Sequence, residues 1–139
     1  MRNKSSNEHQ RAYRTTQEAV NKVIRERDNG KTCISCGNLR KLEAGHFRVS
    51  TLYATRFHPR NINGQCAYCN RYNGGKTFEY GLNLDKKWGN GWANFLEKLS
   101  HTEGKWTTEE MKGLRDAAKR GHRVYEQYYF TLRPTHMKT

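Results

Sequence analysis

The sequence is poor in the residues that build a large hydrophobic core. Only 34% of its 139 residues are hydrophobic, and no apolar run approaches the roughly 18 residues that a membrane-spanning helix needs. The first ten residues also lack the apolar segment of a secretory signal. We therefore expect a cytoplasmic protein that has no membrane partner and needs a stabilising device beyond its core.

Acidic residues are scarce as well. The chain has 13 Asp and Glu against 26 Lys and Arg, which gives a formal net charge of +13. Such an excess favours a polyanionic partner, of which nucleic acid is the commonest. An anionic membrane surface is the alternative, but no predicted helix combines a basic face with a large, aromatic-rich apolar face. The composition therefore predicts a nucleic-acid partner.

Cysteine is confined to two C-x-x-C pairs separated by 29 residues. A two-residue spacer lets both thiolates of a pair bind one ion, and two pairs complete the tetrahedral four-sulfur set that Zn²⁺ prefers. Disulfides are the alternative, but the missing secretory signal argues against them. The sequence therefore predicts a structural zinc site. Its ligands are Cys33, Cys36, Cys66 and Cys69.

The remaining pattern predicts one mainly helical α+β domain in which helices flank a small zinc-stabilised core. Thr15 and Glu18 have capping-box spacing at the start of the first helix. We expect the outer face of that helix, with Lys22, Arg25 and Arg27, to be solvated. The domain divides into a flexible basic arm (1–12), a helix (15–29), the zinc-binding core (33–76) and C-terminal helices (88–132).

The pattern of the core segment predicts two strands and a helix. The pattern predicts a strand over 42–49, a loop over 50–60, a return strand near 61–64, and a helix that starts at the second cysteine pair and ends at 74–75. This order corresponds to a strand–strand–helix unit built around a metal ion.

Beyond the core, a second capping box predicts another helix. Thr107 and Glu110 have the required spacing, and the helical pattern continues to about residue 129. An apolar stripe on this helix fits either packing within the chain or a homodimer. The stripe consists of Met111, Leu114, Ala118, Tyr125, Tyr128 and Leu132.

Three residues of the core segment have the chemistry of a hydrolytic site. His46 can be neutral at physiological pH and accept a proton from water. Asn70 directly follows the last cysteine, and Glu43 is the one acidic residue between Cys33 and Cys69. Oxygen ligands of this kind suit Mg²⁺. Together the three indicate a one-metal site for phosphodiester hydrolysis, although each residue taken singly has a simpler structural explanation.

Several short strings occur in an order that resembles a known family. They are C-I-S-C-G at 33–37, A-G-H-F-R at 44–48, R-F at 56–57, N-I at 61–62, G-Q-C at 64–66, C-N at 69–70 and Y-G-L at 80–82. The segment resembles the HNH, or ββα-metal, nucleases, and more closely the NinG/Rap recombination proteins of lambdoid phages, with a layout like that of endonuclease VII. The resemblance is close over about residues 30–90.

This resemblance implies a DNA endonuclease that acts on branched recombination intermediates such as Holliday junctions and D-loops, in the host-cell cytoplasm and alongside phage recombination proteins. It assigns the general base to His46 and a bracing function to Asn61. It assigns binding of a catalytic Mg²⁺ or Mn²⁺ to Asn70 and Glu43. The family pattern has aspartate at position 43, where this chain has Glu43. It has histidine at position 63, where this chain has Asn63, and the function of Asn63 is left open.

Basic and aromatic residues alternate through this segment. We expect its basic residues to bind DNA phosphates. These are Arg48, Arg56, Arg60, Arg71 and Lys76. The interleaved aromatic side chains could stack on unpaired bases or pack in the core. These are Tyr53, Phe57, Tyr68 and Tyr72.

Two alternative functions stay open at the level of sequence. The chain could be a general HNH nicking or restriction-type endonuclease with no preference for branches. It could also be a zinc-stabilised DNA-binding module without catalytic activity.

Overall fold

The computed structural model describes residues 4–138, which form a mainly helical α+β fold with one small sheet. The helices are α1 (Lys4–Asp28), α2 (Ala67–Arg71), α3 (Thr77–Trp88), α4 (Trp92–Ser100), α5 (Thr108–Lys119) and α6 (His122–Leu132). The strands are β1 (Leu42–His46) and β2 (Ile62–Cys66), and short 3₁₀ turns cover Gly74–Lys76 and Pro134–His136.

The first helix is longer than the sequence predicts. It is continuous from Lys4, so the flexible arm predicted for 1–12 is wrong over 4–12, and residues 1–3 lie outside the described chain. Thr15 does not cap the helix; its hydroxyl lies mid-helix, 3.5 Å from the carbonyl oxygen of Ala12. The helix continues N-terminally because Ala12 is buried and the ring of Tyr13 stacks on that of Tyr53, with centroids 4.9 Å apart.

The sheet is an antiparallel hairpin. Its first strand, β1, is shorter than predicted, and its second strand, β2, lies slightly later in the chain than predicted. Leu42 pairs with Cys66 and His46 with Ile62, so β1 ends at His46 rather than at residue 49. The short helix α2 follows β2 directly, and this strand–strand–helix order is the one that the sequence predicts. β2 is buried along its whole length because helices and the cysteine cluster cover it.

The C-terminal region has a helix before the predicted range of 88–132, and its predicted long helix is broken. The sequence pattern missed α3, whose buried residues Tyr80 and Leu84 are four apart on one face. The predicted long helix divides into α5 and α6 at Gly121, which has a φ of 122°. L side chains rarely adopt this conformation, so glycine permits the break. The capping box at the start of α5 is confirmed: Thr107 Oγ1 accepts from the amide of Glu110 at 3.1 Å, and the Thr107 amide donates to Glu110 Oε1 at 3.0 Å.

The apolar stripe of α5 and α6 packs inside the chain. Met111, Leu114, Ala118 and Tyr125 are buried in the main core, where α5 and α6 meet α1. A second, smaller cluster joins α3 to α4, and a third surrounds the cysteines. The stripe is therefore occupied by intramolecular packing, and a homodimer stays a prediction. No helix among residues 4–138 has the length and apolar character to cross a bilayer.

Candidate metal centre and hydrolytic site

The two cysteine pairs meet at one point. The Sγ atoms of Cys33, Cys36, Cys66 and Cys69 all lie within 4.8 Å of one another, and those of Cys36 and Cys66 are 3.9 Å apart. A tetrahedral zinc ion with Zn–S bonds of 2.3 Å would separate its sulfurs by about 3.8 Å. None of the four is in a disulfide. The cluster therefore fits a structural zinc ion, as predicted.

Backbone amides prepare the first cysteine for metal binding. Burial alone would raise the pKa of the Cys33 thiol, but amides of Cys36, Cys66 and Ser35 point at its sulfur and lower the pKa to about 7. Their N···S distances are 3.5, 3.2 and 3.4 Å, in that order. Burial and the neighbouring sulfurs instead raise the pKa of Cys69. A divalent cation is therefore needed before all four can be thiolates.

A hydrogen-bond network of Gln65, Ser35 and Gly75, here called the polar brace, connects the segments that carry the two cysteine pairs. The Nε2 of Gln65 donates to Ser35 Oγ and to the carbonyl of Gly75, each at 2.8 Å, and Ser35 Oγ donates to the same carbonyl at 2.8 Å. Gln65 occupies the space where a side chain at position 45 would lie: a Cβ on Gly45 would come within 2.0 Å of its Oε1. The glycine of the A-G-H string is therefore required, because a side chain at position 45 would displace Gln65 from the polar brace.

His46 is held in one tautomer by the backbone. Its Nε2 lies 2.9 Å from the carbonyl oxygen of Arg56, which can only accept a hydrogen bond. Nε2 therefore carries the proton, and Nδ1 has the lone pair. Burial lowers the pKa of His46 to about 4, so the imidazole is neutral at physiological pH. This is the protonation state that a general base requires.

Glu43, Asn70 and Arg71 form a second cluster. Asn70 Nδ2 donates to Glu43 Oε1 at 3.0 Å, which leaves Asn70 Oδ1 as the amide oxygen that a metal ion could bind. Arg71 forms an ion pair with Glu43, and its Nε lies 3.2 Å from Oε1. Partial burial opposes ionisation of Glu43, but the bonds from Asn70 and Arg71 hold its pKa below the usual range. The carboxylate is thus ionised and currently neutralised by Arg71.

The two clusters approach β1 from different sides. Side chains alternate along a strand, so Glu43 and His46 project from opposite faces of β1, about 10 Å apart along the strand. Among residues 4–138, no hydrogen bond or ion pair joins His46 to Glu43 or Asn70. The structure therefore brings Glu43 and Asn70 together and places His46 separately, with β1 between them.

Asn61 braces the loop between the strands. Its Oδ1 accepts from the amide of Arg48 at 2.8 Å, and its Nδ2 donates to the carbonyls of Arg48 and Thr55, each at 3.0 Å. The side chain is fully buried and all of these atoms are engaged. Asn61 therefore fixes the loop that carries the Arg56 carbonyl, and hence the orientation of His46, without contacting a reacting group.

A buried ionic network connects α1 to the hairpin. The sequence did not predict this network. Asp28 Oδ2 accepts from the amide of Gly64 at 2.8 Å and from Lys87 Nζ at 2.7 Å, and Arg27 Nε donates to Oδ1 at 2.9 Å. Arg27 is only 6% exposed, so its predicted solvated position is wrong. Asn63 Oδ1 accepts from Lys87 at 3.0 Å, which gives this residue a structural function.

Most of the predicted DNA-binding arginines are already engaged within the chain. Arg48 Nε donates to Ser100 Oγ at 3.0 Å, and Arg56 Nε donates to Gln17 Oε1 at 3.0 Å. Arg60 lies 4.1 Å above the Trp88 ring and pairs with Glu126 at 2.5 Å. Their phosphate-binding function, like that of Arg71 and the half-buried Lys76, stays a prediction.

The interleaved aromatics separate into two groups. Phe57 is fully buried and Tyr53 stacks on Tyr13, so these two serve packing. Tyr68 and Tyr72 on and just after α2 are 58% and 75% exposed, with ring centroids 6.2 Å apart. Tyr53 is 43% exposed, but its ring is stacked on Tyr13, so of the four only Tyr68 and Tyr72 are exposed without packing on α1.

Together these features define a small, mainly helical protein whose hairpin and short helix are assembled around a four-cysteine metal site. The chain belongs to the NinG family: the family model described as Bacteriophage Lambda NinG protein matches residues 1–127.

Its relatives are phage proteins of greater length. Protein ninG of Salmonella phage P22 is 39% identical over 102 residues, covering 71% of this chain and 50% of the relative. Protein ninG of Escherichia phage lambda is 38% identical over 102 residues, with the same 71% and 50% coverage. Protein ninG of Enterobacteria phage H19B is 36% identical over 107 residues, covering 75% and 53%. The chain thus spans about half the length of the curated relatives it matches. No solved structure matches it.

Proposed function

We propose that this protein is a metal-dependent DNA endonuclease with an HNH-like strand–strand–helix core. The observation that carries the proposal is the backbone clamp on His46, which fixes a neutral imidazole with its Nδ1 lone pair available. The zinc site would hold Asn70 and β1 together. The net charge of +13 supplies the attraction for a polyanion.

Hydrolysis would be an in-line displacement at phosphorus, which requires the Glu43–Asn70 pair to approach the phosphate bound at His46, because β1 separates the two in this structure. In such a reaction the attacking and leaving oxygens lie on opposite sides of the phosphorus atom. His46 Nδ1 would take a proton from the attacking water on one side of the scissile phosphate. Asn70 Oδ1 and Glu43 would hold a hard divalent ion on the other side. Bound there, Mg²⁺ or Mn²⁺ would neutralise charge developing on the departing 3′-oxygen.

Metal binding at Glu43 would require Arg71 to change partner. Arg71 is exposed and follows Asn70, so its guanidinium could bind a DNA phosphate when the metal ion binds the Glu43 carboxylate. The same ion pair also supports the alternative of a DNA-binding module without catalysis, because a module that binds no catalytic metal would keep Arg71 paired with Glu43.

The proposed substrate is a branched recombination intermediate in the host-cell cytoplasm, with phage recombination proteins as partners and a homodimer as one means of cutting two strands. Support for branched DNA comes from Tyr68 and Tyr72, since exposed aromatic rings bind unpaired bases by stacking.

A cleavage panel tests the function. The zinc-loaded protein would be incubated with linear duplex, flap, D-loop and four-way-junction DNA in Mg²⁺, in Mn²⁺ and without either ion. We expect cleavage only with a divalent ion, faster cleavage of branched DNA, and 5′-phosphate and 3′-hydroxyl ends. Absence of cleavage on every substrate would leave the DNA-binding module. Equal cleavage of linear and branched DNA would indicate a general HNH endonuclease.

Replacing both exposed tyrosines with alanine should remove the preference for branched DNA. Base–aromatic stacking contributes about 1–3 kcal/mol per base, so Tyr68→Ala/Tyr72→Ala should weaken binding to a flap about tenfold or more and to linear duplex little. Fluorescence anisotropy with both DNAs measures this change. The matched control is Tyr68→Phe/Tyr72→Phe, which keeps the rings and should keep the preference. Equal weakening on both DNAs would count against stacking.

A further inference from the structure

The outer face of α1 carries a line of basic side chains. Arg11, Arg14, Lys22 and Arg25 are all exposed. At 100° per residue their directions fall within a sector of about 80° on one side of the helix. Glu18 is the one acidic residue on that line. With a rise of 1.5 Å per residue, the line extends about 21 Å.

These four charges are uncommitted, unlike most arginines near the site. None of them forms an ion pair or a side-chain hydrogen bond within residues 4–138, whereas Arg27, Arg56 and Arg71 all do. Holding four positive charges in one line costs electrostatic repulsion, which a bound polyanion would relieve.

The line leads to the candidate hydrolytic site. α1 contacts both strands of the hairpin. Gln17 on α1 accepts a hydrogen bond from Arg56, whose carbonyl orients His46. Arg25, at the C-terminal end of the line, is close enough to Glu43 for its positive charge to stabilise the carboxylate. A strand of phosphates lying along α1 would therefore arrive beside β1.

We propose that the outer face of α1 binds the phosphate backbone of the duplex arm next to the scissile bond. The inference rests on the proposed function, since it names the DNA-binding surface of that same site. A length of 21 Å corresponds to about six base pairs of B-DNA, at 3.4 Å per pair. Arginine and lysine contacts to phosphate carry no sequence information, so this surface fixes the position of the duplex rather than its sequence.

Charge neutralisation on α1 tests the proposal. The full-length, zinc-loaded chain with Arg11→Gln, Arg14→Gln, Lys22→Gln and Arg25→Gln would be titrated with linear duplex in buffer without Mg²⁺ or Mn²⁺. We expect at least tenfold weaker binding and a slope of log K against log salt that is shallower by about 3.6, because each of the four lost phosphate contacts contributes about 0.9.

Two controls separate position from net charge. Replacing Lys98, Lys105, Arg120 and Arg123 with glutamine removes the same charge from exposed sites outside α1, and binding should weaken less than threefold. Replacing Arg11, Arg14 and Arg25 with lysine should keep near-normal affinity. If the quadruple glutamine variant fails to fold, the pairs Arg11→Gln/Arg14→Gln and Lys22→Gln/Arg25→Gln should each give about half of the slope change.

The outcomes distinguish this proposal from the proposed function. Unchanged affinity and slope in the α1 variants, or an equal loss in the control variant, would overturn the α1 surface and leave the endonuclease intact. Wild-type protein that binds duplex through α1 but never cuts would overturn the endonuclease and keep the surface. Wild-type protein that binds no DNA at low salt would overturn both.

Discussion

Replacing His46 with alanine should lower the rate of DNA cleavage by about 10²–10⁴-fold, the range that general-base catalysis contributes. The affinity for uncut DNA should change by less than about threefold. The reason is that His46 lies at the end of β1 with its Nε2 on the Arg56 carbonyl, so its Nδ1 is positioned for a proton and contributes no charge to binding at neutral pH. Single-turnover cleavage at saturating protein, together with anisotropy without Mg²⁺ or Mn²⁺, measures the two quantities.

An exposed histidine provides the matched control. His101 pairs with Glu97 on α4, on an element without any proposed catalytic residue, so His101→Ala should keep the wild-type rate. A His46→Ala protein that cuts at the normal rate would contradict the assignment of the base. A His46→Ala protein that loses cleavage and DNA binding together would instead indicate a structural function for His46.

The pH dependence of the same reaction follows from the environment of His46. Burial lowers its pKa to about 4, so the folded protein has a neutral imidazole at His46 from pH 8 down to about pH 5. Protonation of His46 should therefore reduce the rate only as the pH approaches 4. A rate that halves near pH 6.5, with the fold intact, would show that His46 titrates normally and is not held as described.

The parts of this site that could be predicted from sequence are those with local chemistry. Two C-x-x-C pairs specify a tetrahedral site whatever the rest of the chain does. The order of strand, strand and helix also follows from the spacing of the pairs and the short apolar runs between them. The capping box at Thr107 and Glu110 was equally local, and the structure confirms it.

Features that depend on tertiary contacts could not be predicted. Thr15 and Glu18 have the spacing of a cap, but packing of Tyr13 on Tyr53 extends the helix past them. Arg27 looks like any charge on a solvated face until Asp28 and Lys87 enclose it. The same limit applies to the residues predicted to bind DNA: sequence proximity to His46 favoured Arg56, whose side chain donates a hydrogen bond to Gln17.

Loss of the zinc ion should have the largest effect on stability. The cysteines form a separate small cluster with Leu42, and little other apolar packing holds the two pairs together. Zinc binding in small zinc-dependent folds contributes on the order of 10 kcal/mol. We therefore expect Cys66→Ser to abolish stoichiometric zinc binding and to lower the Tm by at least about 10 °C. Elemental analysis and thermal unfolding measure both changes.

The unfolding should be local. α1, α5 and α6 share the main core, which contains none of the cysteines. Hydrogen exchange in Cys66→Ser should therefore accelerate over residues 33–76 and much less in these helices. Titration of the apo protein with Co²⁺ should give tetrahedral thiolate spectra in the wild type and not in the variant. A Cys66→Ser protein that keeps its zinc and its Tm would contradict the four-cysteine site.

Asn70→Ala should distinguish the proposed catalytic metal from the structural zinc. Asn70 follows Cys69 directly but contributes no sulfur, and its side chain is exposed and bonded to Glu43. This variant should keep the zinc ion and the wild-type Tm while losing cleavage at low Mg²⁺, with rescue at high Mg²⁺. Cys66→Ser should lose cleavage at every Mg²⁺ concentration, because the zinc site fixes the helix that holds Asn70. If high Mg²⁺ restored Cys66→Ser as well, zinc would stabilise the fold without positioning the catalytic ligand.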